Sequence, residues 1–149
     1  MNWQSKTFQQ LSTEELFAIL KLRAEVFVVE QDCVYLDPDD TDLHSHHLMA
    51  TVDGRLIAYL RVIPAGIESE TDGSIGRLLI AREHRGKGLG HELIDRGIQL
   101  YDAVVGREHP CVIHAQSYLE KFYQGHGFKA ISQPFMFEGL MHTIMRLEP

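Results

Sequence analysis

An apolar strand followed by a glycine-rich turn constrains this chain more than any other feature of its sequence. Residues 75–81 are almost wholly apolar, which is typical of a strand buried on both faces of a sheet. Gly86, Gly88 and Gly90 then alternate with other residues before a helical pattern begins. Glycines in such a turn let a ligand approach the backbone closely and point successive N–H groups outward. Because the start of a helix adds partial positive charge, this segment predicts an anion-binding site.

The charges around the turn favour a small anionic ligand. The chain as a whole is acidic, with 14 Lys and Arg against 21 Asp and Glu and a formal net charge of -7. General nucleic-acid binding needs a basic face, so this balance argues against a nucleic-acid partner. Four basic residues nonetheless lie within eleven positions beside the turn, namely Arg77, Arg82, Arg85 and Lys87. They predict a small ligand that carries phosphate.

Two common phosphate-binding motifs do not fit the turn. A Walker A loop needs Ser or Thr after its lysine, whereas Lys87 is followed by Gly88. A dinucleotide fingerprint needs glycine at the position of His91. The pattern that does fit is R-x-x-G-x-G, which runs from Arg85 to Gly90.

The hydrophobic pattern of the whole chain predicts an alternation of strands and helices. Strands are predicted near residues 3–8, 47–52, 56–63, 75–81, 112–115, 129–132 and 142–147. Helices are predicted from a capping box at Ser12 to about Glu30 with one break, around residues 94–105, and over residues 118–126. Antiparallel hairpins followed by one parallel β-α-β unit predict a mixed sheet with helices on both faces.

Length and composition predict one globular domain spanning residues 1–149. Hydrophobic residues make up 44% of the 149 residues, which suffices for a sizeable core. No apolar run approaches the ~18 residues that cross a membrane. The first residues lack the pattern of a secretory signal, and Cys33 and Cys111 lack C-x-x-C spacing. We therefore expect free thiols and a cytoplasmic protein without a membrane partner.

Two segments of the sequence resemble a known family. The turn at residues 85–90, placed after an apolar strand, is similar to the coenzyme A pyrophosphate loop of the GNAT superfamily of N-acetyltransferases. Residues 118–128, YLEKFYQGHGF, resemble the F-Y-x-x-x-G-F segment of the same family. The predicted element order matches that fold over the whole chain. Residues 22–33 and 46–48 more specifically resemble the ElaA subgroup.

The resemblance implies a fold and an activity. The fold is α/β in the broad sense (α+β), with a mixed, mostly antiparallel central sheet, helices on both faces and a V-shaped splay between the fourth and fifth strands. The activity is acyl-CoA-dependent N-acyltransfer, in which acetyl passes from the co-substrate acetyl-CoA directly to a primary amine without a metal. The acceptor is a small-molecule or peptide amine of unknown identity. The alternative is a non-catalytic acyl-CoA-binding sensor or scaffold of the same fold. Many relatives form dimers, so a homodimer is compatible with the resemblance.

The resemblance also assigns residues to the site. Backbone groups of Leu78, Leu79 and Ile80 would pair with the pantetheine arm of the cofactor. The pyrophosphate would be held by the turn, through Arg85, Gly86, Lys87, Gly88, Leu89, Gly90 and His91. Tyr123 matches the position of the acid that protonates the leaving thiolate. A backbone N–H near Ile80, at a bulged strand end, would polarise the carbonyl group. The candidates for taking the proton of the amine are Glu30, His114 and Glu25.

A second charged segment and a group of histidines stay open. Residues 37–42 hold four carboxylates, and a calcium loop is excluded because Asp42 and Leu48 stand where Gly and Glu are required. The segment is interpreted either as a solvated loop or as an acidic lip that attracts a cationic amine. Histidines follow in the sequence at His44, His46 and His47. They border a predicted strand, and a metal site is the less favoured interpretation.

Overall fold

The computed structural model describes residues 1–148. Within them the chain forms eight strands and three α-helices. The strands are β1 (Asn2–Thr7), β2 (His46–Val52), β3 (Arg55–Ile63), β4 (Ser74–Ile80), β5 (Val112–Gln116), β6 (Phe128–Ala130), β7 (Phe135–Phe137) and β8 (Leu140–Leu147). The helices are α1 (Thr13–Arg23), α2 (Leu89–Val104) and α3 (Glu120–Gln124). No helix in this part of the chain has both the length and the apolar character needed to cross a membrane.

The strands form two antiparallel sheets that separate like the arms of a V. One sheet has the order β1-β2-β3-β4, and the other has the order β5-β8-β6 with β7 also paired to β8. The sheets meet where Gly73 and Cys111 form a parallel bridge. There Gly73 N–H donates to Pro110 O and Val112 N–H donates to Gly73 O, both at 3.0 Å. Beyond this bridge β4 and β5 diverge, which confirms the splay between the fourth and fifth strands.

Helices cover both faces of the first sheet, as predicted. On one face α1 packs through Ile19 against Met49 and Tyr59 of the sheet. On the other face α2 approaches β3 closely, because a Cβ atom on Gly97 would lie 2.6 Å from a methyl group of Leu60. The tight α2 contact places the start of that helix, and the glycine turn before it, beside the open edge of β4.

The first helix has the predicted start and a non-standard end. At its start Ser12 Oγ accepts from Glu15 N–H at 3.0 Å, while Ser12 N–H donates to the Glu15 carboxylate at 2.8 Å. After α1 the chain continues as a π-helix over Ala24–Glu30. Short π-helical stretches are rare and are frequent at functional sites. Here the stretch brings Phe27 and Glu30 to the gap between the two sheets.

The last part of the sheet contains a hairpin that the hydrophobic pattern does not reveal. β7 and β8 are joined at Glu138 and Gly139, both of which have positive φ (53° and 77°). Such a two-residue turn matches the twist of the strands it joins. A Glu-Gly pair is a weaker hairpin signal than the Asp53-Gly54 pair between β2 and β3. As a result the sequence pattern does not predict β7, and β8 begins at Leu140 rather than at residue 142.

Candidate active site

A cleft of about 1090 Å³ lies where β4 and β5 diverge. Its walls include Leu78, Leu79 and Ile80 on β4 and His114 on β5. The π-helix, the turn at Arg85 and the β7–β8 hairpin also line it. Ligand sites of proteins typically have volumes of about 300–1,000 Å³, so this cleft has room for a large cofactor together with part of a second substrate.

The glycine turn presents a row of free backbone donors next to this cleft. Gly86 and Gly88 have φ of 77° and 79°, a left-handed conformation that only glycine adopts easily. Gly88 directly precedes α2. Within residues 1–148, none of the five N–H groups from Gly86 to Gly90 has an acceptor. Free donors at the start of a helix are the arrangement that an anion such as pyrophosphate requires.

The third glycine of the turn serves packing. A Cβ atom on Gly90 would lie 3.4 Å from Ile80 Cδ1 and 3.7 Å from Phe122 Cζ. The neighbouring side chain of Leu89 is buried in the main core. The start of α2 is therefore seated between β4 and α3, and the N–H row has a defined position relative to Ile80.

Arg85 bridges the turn to both walls of the cleft. Its two terminal nitrogens bind the carboxylate of Glu30, with Nη2 donating to Oε2 at 3.1 Å. Its Nε donates to the carbonyl oxygen of Ile80 at 2.9 Å. The hydrogen bonds from Arg85 lower the pKa of Glu30. A carboxylate with a lowered pKa is a weak base, which argues against the hypothesis that Glu30 deprotonates the amine.

The expected single patch of basic residues is divided in the structure. Arg77 points away from the turn and pairs with Asp37, with Nε donating to Oδ1 at 2.9 Å. Arg82 and Lys87 are exposed and have no ion-pair partner within residues 1–148. Of the four basic side chains, these two remain available for an anion at the turn.

His91 stands in the first turn of α2 and belongs to a chain of hydrogen bonds. Its Nδ1 shares a hydrogen bond of 2.8 Å with His126 Nε2. His126 Nδ1–H in turn donates to the carboxylate of Asp95 at 2.7 Å. The ring of His91 also lies 5.0 Å from the ring of Phe122. These contacts hold His91 at the end of the N–H row, where the resemblance places it in the cofactor site.

A bulge in β4 lies earlier than expected. Gly76 pairs with Arg61 and Leu79 pairs with Tyr59, so β4 has one residue more than β3 in this interval. Arg77, in this interval, has φ of 51°. The expectation of a bulged end near Ile80 is therefore wrong. A bulge increases the local twist of the strand that carries it.

The backbone of Ile80 nevertheless faces the cleft. Ala81 N–H donates to Ile57 O on β3 at 2.7 Å. Because successive peptide groups of a strand alternate in direction, the N–H and C=O of Ile80 point away from β3. That direction is the open edge of β4, where the carbonyl oxygen of Ile80 accepts a hydrogen bond from Arg85 Nε. The N–H of Ile80 therefore points to the open edge of β4, and its role as the carbonyl-polarising donor stays a prediction.

Tyr123 is nearly buried and lines the cleft. It is 8% exposed and packs edge-on against Phe122 and Phe128, with ring centroids 5.1 and 5.7 Å away. Its hydroxyl has no hydrogen-bond partner within residues 1–148 and belongs to a residue that lines the cleft. Burial raises the pKa of Tyr123 to about 12, so the phenol is fully protonated at neutral pH. Tyr123 is a proton donor without an internal acceptor.

The other two candidate bases differ in where they lie. His114 is exposed on β5, lines the cleft and lies edge-on to Phe135 at 6.4 Å. Glu25 is exposed on the π-helix, outside the residues that line the cleft. Of the three candidates, His114 is the one that combines a cleft position with an unpaired side chain.

Residues 37–42 form neither a solvated loop nor an acidic lip. Asp37 and Asp42 are only 3% and 6% exposed. The buried Arg23 donates to both of them, through Nε to Asp37 at 2.8 Å and through Nη1 to Asp42 at 2.7 Å. Arg61 donates to Asp39 and Asp42 at 2.6 and 2.7 Å. Both interpretations are wrong because three of the four carboxylates, those of Asp37, Asp39 and Asp42, are paired with arginines distant in sequence.

Of the histidines near this segment, His47 has a structural role. His47 is buried, donates from Nε2 to Asp42 O at 3.0 Å and lies 2.6 Å from the Tyr59 hydroxyl through Nδ1. Burial lowers the pKa of His47, so it stays neutral. Within residues 1–148, no three His, Cys, Asp or Glu side chains are grouped as metal ligands.

One signal of this ion cluster was present in the sequence. Arg23 falls in the apolar spacing of α1, with Ile19 one turn before it and Phe27 one turn after it. A charged residue on the core face of a helix is expected to have a buried partner. The partners, Asp37 and Asp42, could not be chosen from the other carboxylates without the fold.

Comparison with known proteins identifies the family of this chain. A family model for the acetyltransferase (GNAT) domain matches residues 10–149. The chain belongs to the GNAT acetyltransferase family. A UPF0039 protein of Schizosaccharomyces pombe is 35% identical over 144 residues, covering 96% of this chain and 94% of the relative. Protein ElaA of Escherichia coli is 31% identical over 150 residues, covering 99% and 97%.

Solved structures of GNAT relatives have the same fold. A crystal structure of an acyl-CoA N-acyltransferase from Pseudomonas aeruginosa superposes with a TM-score of 0.93 at 38% identity, covering 99% of both chains. The crystal structure of Escherichia coli ElaA superposes with a TM-score of 0.92 at 31% identity, also covering 99% of both. The α+β GNAT fold and the similarity to the ElaA subgroup are therefore confirmed.

Proposed function

We propose that this chain is an acyl-CoA-dependent N-acyltransferase, which transfers acetyl from acetyl-CoA directly to a primary amine. The observation that carries the proposal is the row of free N–H donors from Gly86 to Gly90, next to a cleft lined by Tyr123. The donors suit a pyrophosphate, and the cleft is large enough for the pantetheine arm and an acceptor. Membership in the GNAT family supports the use of an acyl-CoA.

The residues of the turn and of β4 would hold the cofactor. The N–H groups of the turn bind pyrophosphate oxygens, and the exposed Lys87 and Arg82 add positive charge. The backbone of Leu78, Leu79 and Ile80 offers the edge of a strand to the amides of pantetheine. Since a carbonyl oxygen has two lone pairs, Ile80 O can accept a hydrogen bond from a pantetheine amide and keep the one from Arg85 Nε.

Ile80 and Tyr123 would act on the two ends of the breaking bond. When bound, acetyl-CoA supplies an acyl group activated as a thioester. The N–H of Ile80 donates to the carbonyl oxygen, on which negative charge develops. Tyr123 donates its phenolic proton toward the sulfur. With its pKa at about 12 and a thiol near ~8.5, full proton transfer in advance is uphill by roughly 5 kcal/mol, so the transfer accompanies C–S cleavage.

His114 would take the proton that the amine must lose. An alkylamine with a pKa near ~10.4 is neutral in only about one molecule in 2,500 at pH 7. An imidazole in the cleft wall can accept this proton directly or through one water molecule. The acceptor in this proposal is a small-molecule or peptide amine, because the cleft is open at its edge and concave rather than an extended basic face.

A thiol-release assay combined with calorimetry tests the proposal. Acetyl-CoA is mixed with a panel containing a polyamine, an amino sugar, lysine amide and a short peptide with a free amino terminus. We expect acetyl-CoA to bind and at least one amine to accelerate thiol release. Binding without release for any amine would instead support the non-catalytic binding module. Absence of acetyl-CoA binding would contradict both functions.

A further inference from the structure

Arg77 has a backbone conformation that arginine rarely adopts. Its φ of 51° lies in the left-handed region, where the Cβ atom of a non-glycine residue crowds the backbone. The residue lies in the bulge between Gly76 and Leu79, where β4 carries one residue more than β3. A conformation of this kind persists only where surrounding contacts hold it.

The side chain of Arg77 supplies those contacts through Asp37. Nε donates to Asp37 Oδ1 and Nη2 donates to the Asp37 carbonyl oxygen, both at 2.9 Å. The guanidinium carbon also lies 5.8 Å from the centroid of the Tyr35 ring. Asp37 is itself fixed, because the Tyr35 hydroxyl and Arg23 Nε donate to its carboxylate, each at 2.8 Å. The bulge is thereby joined to a buried ion cluster at the end of α1.

The position of the bulge determines the position of the cleft-facing backbone. Ile80 follows Arg77 by three residues, and its N–H points to the open edge of β4. If Arg77 relaxed to negative φ, the direction of β4 beyond the bulge would change. The N–H of Ile80 would then move relative to Tyr123 and to the thioester carbonyl.

We propose that Arg77 is a positioning residue for acyl transfer, holding the β4 bulge through its ion pair with Asp37 so that the Ile80 N–H meets the thioester carbonyl. The inference rests on the proposed function and deepens it. Arg77 acts through the bulge and does not transfer a proton. Its loss should therefore affect the chemical step more than cofactor binding, because the pyrophosphate is held by the glycine turn and not by β4.

The test measures kcat, the KM for acetyl-CoA and Tm in three Arg77 variants, with the fastest amine of the panel. Arg77→Ala removes the side chain but keeps the Cβ atom that crowds the backbone at positive φ, so nothing holds the strained conformation. We expect its kcat to fall about ten- to a hundredfold while the KM for acetyl-CoA stays within about twofold. Arg77→Gln should lose a similar amount, and Arg77→Lys should recover part of kcat, because its ammonium group can still pair with Asp37.

Arg107→Ala is the matched control, because it breaks an exposed Arg–Asp pair with Asp102 that does not line the cleft. The control should retain wild-type kcat. Wild-type kcat in Arg77→Ala, or a loss confined to Tm and KM, would overturn the proposal. If Arg77→Ala does not fold, Arg77→Gln decides in the same way. A wild-type protein that releases no thiol would contradict both the proposed function and this inference, whereas normal turnover in the variants would contradict the inference alone.

Discussion

Glu30 and Arg85 form an ion pair that joins the end of the π-helix to the glycine turn. Both residues line the cleft, and the same arginine also donates to the backbone of Ile80. Consequently the turn, the β4 edge and the π-helix are linked by one guanidinium group. The pair also directs the positive charge of Arg85 to Glu30, away from a cofactor phosphate.

Replacing Glu30 should strengthen cofactor binding. In Glu30→Gln the guanidinium of Arg85 becomes available to the pyrophosphate, so we expect the Kd for acetyl-CoA to fall about two- to fivefold. Unfolding free energy should change by less than about 1 kcal/mol, because the pair is partly exposed. Calorimetry and thiol release check this, with Asp102→Asn as the control for an exposed pair. A large loss of kcat would instead show that Glu30 acts as the base.

Replacing Gly88 should weaken cofactor binding. Valine is strained at φ of 79°, and its side chain would stand beside the N–H row. We expect Gly88→Val to raise the Kd for acetyl-CoA at least about tenfold. Gly54→Val is a matched control, since Gly54 has φ of 76° and open space around its Cα as well. Equal Kd values in the two variants would contradict the role of the turn.

Removing the Tyr123 hydroxyl should slow the chemical step. The hydroxyl has no partner within residues 1–148, so Tyr123→Phe should keep Tm within a few degrees while kcat falls about ten- to a hundredfold. Because the pKa of Tyr123 is about 12, its phenol stays protonated between pH 6 and pH 9 and adds no basic limb to the pH–rate profile there. A basic limb that disappears in Tyr123→Phe would contradict this assignment.

The buried ion cluster should make the fold sensitive to acid. Burial alone would raise the pKa of Asp42, but the hydrogen bonds and charge of Arg23 and the charge of Arg61 outweigh it and bring the pKa to about 2. An unfolded aspartate has a pKa near ~3.9, so the carboxylate contributes roughly 2 kcal/mol above that pH. This stabilisation is lost as the pH falls from about 4 to about 2.

Thermal unfolding across this pH range checks the acid sensitivity. Asp42→Asn should lower the free energy of unfolding at pH 7 by about 3–5 kcal/mol, because it leaves two buried arginines short of a partner. Asp40→Asn is the control, since Asp40 lies in the same segment, is exposed and has no ion pair within residues 1–148. Similar losses in the two variants would contradict the role of the cluster.

The two cysteines should react differently with a thiol reagent. Burial raises the pKa of Cys111 to about 12, whereas Cys33 is half-exposed and lines the cleft. Maleimide should therefore label Cys33 and spare Cys111 in the folded protein. Acetyl-CoA should slow this labelling if it occupies the cleft. Mass spectrometry of the labelled peptides checks both statements.

Local features of the site could be predicted, and features that depend on pairing could not. The capping box at Ser12 and the glycine turn follow from neighbouring residues, so their patterns are visible in the sequence. The bulge at Arg77 depends on the register between β3 and β4. The sequence does not predict β7, because its three residues gain their stability from pairing with β8 rather than from a hydrophobic pattern of their own.

The sequence by itself determined the order of elements, the glycine turn and the family resemblance, because these depend on local backbone preference and on hydrophobic period. Only the tertiary structure decided which charges are free. Arg77 and Asp37 are forty positions apart, and Glu30 and Arg85 are fifty-five positions apart, yet each pair is in contact. The interaction energy of two charges depends on their distance in space and not on their separation along the chain. The basic residues near the turn and the acidic segment are therefore found in ion pairs that the sequence does not predict.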